Sequence, residues 1–169
     1  MLLGLLITVM GLNASTTQQP LSTVSSVDLK RYVGTWYEIA RYPNRFQRKC
    51  TGDVTAKYAL RDDGKVDVLN SCSEGGKLNQ AKGTAKVADS QTNSKLRVTF
   101  FWPFYGDYWI LDLAPDYSYA VVGEPKRQYL WILSRSPRMD APTYDKLLEK
   151  IRSLGYDPAG LVKTAQSYR

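Results

Sequence analysis

The sequence predicts an all-β fold: an eight-stranded antiparallel up-and-down β-barrel with one C-terminal α-helix packed outside. Three observations predict it. Eight short runs of alternating apolar residues lie between residues 34 and 135, each bounded by Gly, Pro, Asn or Asp. An antiparallel sheet of this size closes on itself, because closure removes its unpaired edges. After Ser136-Pro137 the apolar period changes from that of a strand to that of a helix. With 169 residues, 43% of them hydrophobic, the chain can bury one proper core, and no internal repeat or domain boundary interrupts it.

The elements follow in order. Residues 1–14 contain MLLGLLITVMGL, too short an apolar stretch to span a bilayer, followed by Asn13-Ala14-Ser15. This reads as the core and cleavage zone of a secretory signal, with an N-terminal strand or buried helix as the other reading. No Lys or Arg precedes it, Leu12 stands two before Ala14, and no Cys follows it to carry a lipid. Residues 15–26 read as a flexible lead-in, and Val27–Tyr32 as one helical turn with Asp28 near its start. Strands are expected over Thr35–Tyr42, Asp53–Leu60, Lys65–Ser71, Asn79–Ala88, Lys95–Phe101, Asp107–Leu113, Ser118–Gly123 and Gln128–Ser134. Tyr144, Leu147, Leu148, Ile151 and Leu154 then recur at helical spacing, with Asp140 as N-cap and Gly155 as the stop. The barrel and helix together occupy 27–160, and 161–169 are a C-terminal tail.

Composition narrows the chemistry. The net charge is +7, but the 23 Lys and Arg are scattered along the chain, so no nucleic-acid partner is expected. Histidine is absent. That removes Ser-His-Asp and Cys-His catalysis together with the commonest metal ligand, and neither a metal nor a cofactor is expected. Cys50 and Cys72 are the two cysteines. The Arg61-Asp62-Asp63-Gly64 turn folds the second and third strands into a hairpin and brings the residues before Asp53 near Cys72. One disulfide is expected, with two buried free thiols as the alternative.

Period-two alternation assigns an inward face to each strand. The second strand offers Val54, Ala56, Tyr58 and Leu60, and the third Val66, Val68 and Asn70. The fourth offers Ala81, Gly83, Ala85 and Val87, and the fifth Leu96, Val98 and Phe100. In the sixth, Tyr108, Ile110 and Asp112 share one face, and Trp109, Leu111 and Leu113 share the face expected to receive the helix. The last two strands offer Ala120 and Val122, then Tyr129, Trp131 and Leu133. Ala and Gly on the fourth strand leave space, while Tyr108, Tyr129 and Trp131 line the opposite side. The expectation is an elongated apolar cavity suited to an acyl chain, with a filled barrel as the alternative. Its ligand-binding residues are Ala56, Tyr58, Val68, Asn70, Gly83, Ala85, Val98, Phe100, Tyr108, Ile110, Val122, Tyr129 and Trp131.

Three motifs carry a resemblance. Gly34-Thr35-Trp36-Tyr37-Glu38-Ile39-Ala40-Arg41 resembles the Gly-x-Trp motif of lipocalins, and closely that of their bacterial branch. Pro115-Asp116-Tyr117 resembles the second lipocalin motif, and Leu130–Arg135 the third, which ends in Arg. Phe100–Tyr105 followed by Gly106-Asp107 is similar to a segment of bacterial and plant temperature-induced lipocalins. The likeness runs from Val27 to about Gly160. It implies a carrier of fatty acids or lysophospholipids, periplasmic or associated with the outer membrane, and is compatible with a homodimer.

In an up-and-down barrel Trp36 and Arg135 lie at one rim, with Asp116 and Tyr117 in a turn beside them. Gly34, Trp36, Asp116, Tyr117 and Arg135 are therefore expected to be structural, with the guanidinium over the indole worth about 0.5–2 kcal/mol. The other rim is the entrance. Its basic residues are Arg45, Arg48, Lys49, Lys77, Lys126 and Arg127, and its apolar loop is Trp102-Pro103-Phe104-Tyr105. That loop is read as a lid, as a contact with a membrane or partner, or as local packing. An enzyme on the same barrel would draw on Tyr58, Tyr108, Asp112, Glu38 or Cys72, and a pigment or haem binder on Tyr or Cys; the chain is expected not to be an enzyme.

Overall fold

Alternating apolar residues form eight antiparallel strands, each paired with its neighbour in sequence. The computed structural model describes residues 19–167, so the candidate secretory segment lies outside the described residues. A short helix α1 (Leu29–Tyr32) precedes β1 (Gly34–Arg41), β2 (Gly52–Leu60), β3 (Val66–Glu74), β4 (Lys77–Val87) and β5 (Lys95–Phe101). Then come β6 (Phe104–Leu113), β7 (Tyr119–Gly123), β8 (Leu130–Ser134), the helix α2 (Ala141–Ser153) and β9 (Val162–Lys163). β1 pairs with β8 on one side and β2 on the other, which closes the barrel.

Two apolar clusters form, one on each side of the barrel wall. Inside lie Trp36, Tyr58, Val66, Val68, Ile110, Val122 and Leu133. Outside, Leu111, Val121, Leu130 and Ile132 receive Leu147, Ile151 and Leu154 of α2 and its C-cap. Each such side chain, once buried, contributes about 1.5–3 kcal/mol. The helix begins where its cap predicts, with the Asp140 carboxylate accepting from the Thr143 N–H at 2.9 Å.

The structure departs from the expected pattern in four places. β3 and β4 run further than alternation alone suggests, because Gly75 and Gly76 both take positive φ (59° and 83°) and turn the chain in two residues. β6 begins at Phe104 rather than Asp107, so β5 and β6 form a long hairpin with only Trp102 and Pro103 at its tip. A bulge between Ile110 and Asp112 reverses the facing of β6. Leu113 consequently packs inside, whereas Asp112 pairs with outward Val121. Finally, from residue 19 onward the expected flexible lead-in is anchored. Leu21 is buried in the outer cluster, the Val24 N–H donates to the Ile110 carbonyl (3.0 Å), and the Val27 N–H donates to that of Thr92 (2.7 Å).

Candidate ligand-binding calyx

One end of the barrel is plugged. α1 lies across it, held by Arg135, whose guanidinium sits 3.8 Å from the centre of the Trp36 ring. The same group donates to the carbonyls of Arg31, Tyr32, Val33 and Thr35 at 2.8–3.0 Å. Trp36 Nε1–H donates to the Tyr32 carbonyl (2.8 Å). Tyr117 completes the plug: its hydroxyl accepts from the Asp28 N–H (2.9 Å), and Arg31 lies over its ring at 4.0 Å. Asp116 shapes the adjacent turn by accepting from the Ser118 N–H (3.0 Å). Burial presses the Arg135 pKa below its ordinary value.

Above the plug, Tyr32, Tyr58 and Tyr108 meet hydroxyl to hydroxyl, 2.7 Å from Tyr32 to Tyr108 and 3.0 Å from Tyr58 to Tyr108. Their rings border a cavity of about 20 Å³ whose other walls include Leu29, Val33, Val66, Ala85, Leu96 and Val98. Burial pushes the Tyr58 phenol up to about 12, and those of Tyr32 and Tyr108 well above the ordinary tyrosine value.

The strand register stacks the inward residues in rungs from floor to mouth. Val66 pairs with Ala85, Val68 with Gly83, and Asn70 with Ala81 on one side and Ala56 on the other. The lower rungs are buried, but Ala81, on the same inward face, is exposed to solvent. The upper barrel is therefore an open mouth, at the rim the sequence assigns to the entrance. Asn70 Oδ1 is buried with no hydrogen-bond partner among the described residues. The space expected beside Gly83 is occupied: a Cβ there would stand 2.8 Å from the Phe100 ring and 2.6 Å from the Thr99 carbonyl. Glycine at 83 thus admits Phe100 to the wall instead of leaving a void. Ile110 and Val122 pair with each other and are fully buried in the inner cluster.

A bulge in β1 between Glu38 and Ala40 adds groups that simple alternation misplaces. Glu38 pairs with inward Leu133 and Arg41 with Trp131, while Ile39 and Ala40 pack outside. Glu38 is only 2% exposed. Its carboxylate accepts from Arg41 (2.8 Å), Gln47 and Thr164, and Gln47 Oε1 in turn accepts from Trp131 Nε1–H (2.9 Å). Gln47, Thr164 and Tyr32 escaped the sequence reading because they lie outside the barrel strands, where alternation carries no signal.

At the mouth, Trp131 stacks on Tyr129 (ring centres 5.9 Å apart), and Tyr129 meets Phe46 (5.8 Å). Phe46 is exposed, as are Phe101, Trp102 and Phe104, with Trp102 77% exposed. Arg45 lies over the Phe46 ring, and Arg48 and Lys126 are exposed at the same rim. Two residues grouped with the entrance sit elsewhere. Tyr105 faces the outer wall under Lys86 and Arg97 (4.7 and 5.4 Å), because β6 already alternates there. Arg127 donates to the carbonyls of Leu154 and Gln19, which ties it to α2 and the N-terminal segment. The rim loop after β1 is joined to β3 by the Cys50–Cys72 disulfide, so Cys72 offers no thiol.

Comparison with known proteins gives a consistent result. A family model described as a lipocalin-like domain matches residues 27–166. Temperature-induced lipocalin-1 of Arabidopsis thaliana is 42% identical over 160 residues, covering 90% of this chain and 86% of that protein. Outer membrane lipoprotein Blc of Escherichia coli K12 is 38% identical, covering 94% and 90%. Apolipoprotein D of Mus musculus is 35% identical, covering 98% and 92%. Among solved structures, insecticyanin from the tobacco hornworm Manduca sexta superposes with a TM-score of 0.71 at 23% identity, over 87% of this chain and 85% of that one.

Proposed function

This chain belongs to the lipocalin-like family, whose barrel binds small hydrophobic ligands, and from that premise we propose that it carries a single-chain lipid, a fatty acid or lysophospholipid, in a bacterial cell envelope. The observation that carries this reading is the graded interior: sealed at the floor by aliphatic side chains and the three paired tyrosines, open and aromatic at the mouth. An acyl chain lies along the inward faces of β2 to β6, and its polar head stays among Trp131, Tyr129 and the rim. Val68 and Val98 serve as the apolar walls, backed by the fully buried Ile110 and Val122, with Ala56, Asn70 and Phe100 higher up. Binding rather than catalysis is supported by the state of the reactive groups. Glu38 is already occupied by Arg41, Gln47 and Thr164, and Cys72 is bridged.

The exposed Phe101, Trp102 and Phe104 at the hairpin tip, at the same end of the barrel as basic Arg45, Arg48 and Lys126, suit peripheral contact with an anionic lipid surface. No helix among the described residues is long and apolar enough to cross a membrane. An envelope location is supported by the relatives named outer membrane lipoproteins.

Native mass spectrometry of the purified protein tests the carrier reading and reports monomer or homodimer in the same spectrum. A co-purified single-chain lipid is expected. Titration with a fluorescent fatty acid should then give saturable binding, and Trp131→Ala should weaken it about tenfold, since one large ring leaves the site. A protein that is empty by mass and does not titrate overturns the reading.

A further inference from the structure

The bulge in β1 puts Arg41 where alternation does not expect it. Arg41 pairs with Trp131 of β8 on one side and with Val162 of β9 on the other, so all three side chains leave the wall on its inward side. Val162 is exposed, which places this stretch of the inward face at the open mouth. Among the described residues only one nitrogen of the guanidinium finds acceptors. Nη1 donates to the Glu38 carboxylate at 2.8 Å and to the Thr164 hydroxyl at 3.1 Å. Nε has no acceptor and is sealed from solvent; Nη2 has none either but is not sealed. The side chain keeps 13% of its surface exposed, so Nη2 is the donor that a bound molecule can reach. Glu38 does not compete for it. One of its oxygens is taken by Arg41 Nη1 and Thr164, the other by Gln47. Gln47 also accepts from Trp131, which ties the turn carrying Arg45 and Arg48 to this cation. The result is a guanidinium with a bare N–H, framed by Trp131 and Val162 and flanked by a basic turn.

We propose that Arg41 Nη2 receives an anionic oxygen of the ligand's head group, so that the protein selects single-chain lipids headed by a carboxylate or phosphate monoester over those headed by a hydroxyl. This rests on the carrier reading given above and names its head-group class. A hydrogen bond from a guanidinium to an oxyanion is about twice as strong as one between neutral groups. A hydroxyl head forgoes that gain and leaves the guanidinium with Glu38 as its one anionic partner.

The test is calorimetric titration of lipid-stripped protein with two matched pairs of lipids. The first pair is dodecanoate and dodecanol; the second is 1-dodecanoylglycerol 3-phosphate and 1-dodecanoylglycerol. Each anion should bind about tenfold more tightly than its hydroxyl counterpart. A preference within one pair alone supports the site and names carboxylate or phosphate as the head it takes. The double variant Glu38→Gln, Arg41→Gln removes both charges together and leaves neither buried without its partner. It should bind the two members of each pair equally. A preference that survives in the double variant belongs to the rim cations and overturns the proposal. Equal binding within both pairs by the unaltered protein overturns it without recourse to any variant, and leaves the carrier reading standing. Failure of all four lipids to bind overturns the carrier reading and the head-group site with it.

Discussion

Arg135 makes its contacts with backbone rather than with an acid: the carbonyls of Arg31, Tyr32, Val33 and Thr35, and the face of Trp36. Removing it bares those carbonyls and frees α1 from the barrel end. Arg135→Ala should therefore lower the unfolding free energy by about 2–4 kcal/mol in a urea titration, with fatty-acid affinity changed less than about threefold. The buried phenols make a separate prediction. Tyr58 titrates near 12 in the folded chain, against an ordinary value of 10. A raised folded pKa means full stability below the unfolded value, with loss as the pH climbs toward the folded one. Stability should be flat below about pH 9.5 and fall between about pH 10 and 12, by ~3 kcal/mol from Tyr58 alone, with tyrosinate absorbance appearing together with unfolding. Trp36 and Arg135 were legible in the sequence because each sits at a strand end inside a spaced motif. Tyr32 was not, because nothing in its helical turn shows that the turn folds under the barrel.

At the scale of elements, alternation predicts most strand faces correctly and fails where the backbone gains a residue. The bulges in β1 and β6 turn Arg41 and Leu113 inward against the simple count. No residue type at either point signals the insertion, since Ile39 and Leu111 suit a strand equally well. The β5–β6 hairpin illustrates a different limit. Its apolar tip was evident, but its length was not, because Phe104 and Tyr105 looked like loop residues while continuing the ladder. Trp102 is largely exposed, so Trp102→Ser should leave the melting temperature within about 2 °C. Sedimentation with anionic liposomes should fall several-fold, while affinity for a free fatty acid stays the same. Equal losses in both measurements would mark the tip as part of the ligand site.

The whole molecule closes through its C-terminal segment, an arrangement that strand patterning could not reveal. β1 pairs with β2 only over Gly34–Tyr37; above that the two strands part. β9 fills the gap by pairing with Ala40 and Arg41, while the Asp53 N–H donates to the Ala165 carbonyl and Gln166 bridges the carbonyls of Glu38 and Val54. Ser167 adds two hydrogen bonds to the Asp53 carboxylate. A two-residue strand has no alternation to read, so this segment looked like a tail. Deleting everything after Lys163 should cost about 2–4 kcal/mol by thermal or urea unfolding and strip Glu38 of Thr164, and ligand release should quicken as the mouth loosens.

The stitched seam also bears on how the protein is made. Synthesis delivers β1 and β2 well before residues 162–167, so the lower wall can zip up while the upper one still gapes. For that interval the greasy lining above the floor faces the surroundings with no final stave in place. Entry of a small hydrophobic ligand is then easiest in the moments before residues 162–167 dock, and the newborn chain is at its stickiest in the same moments.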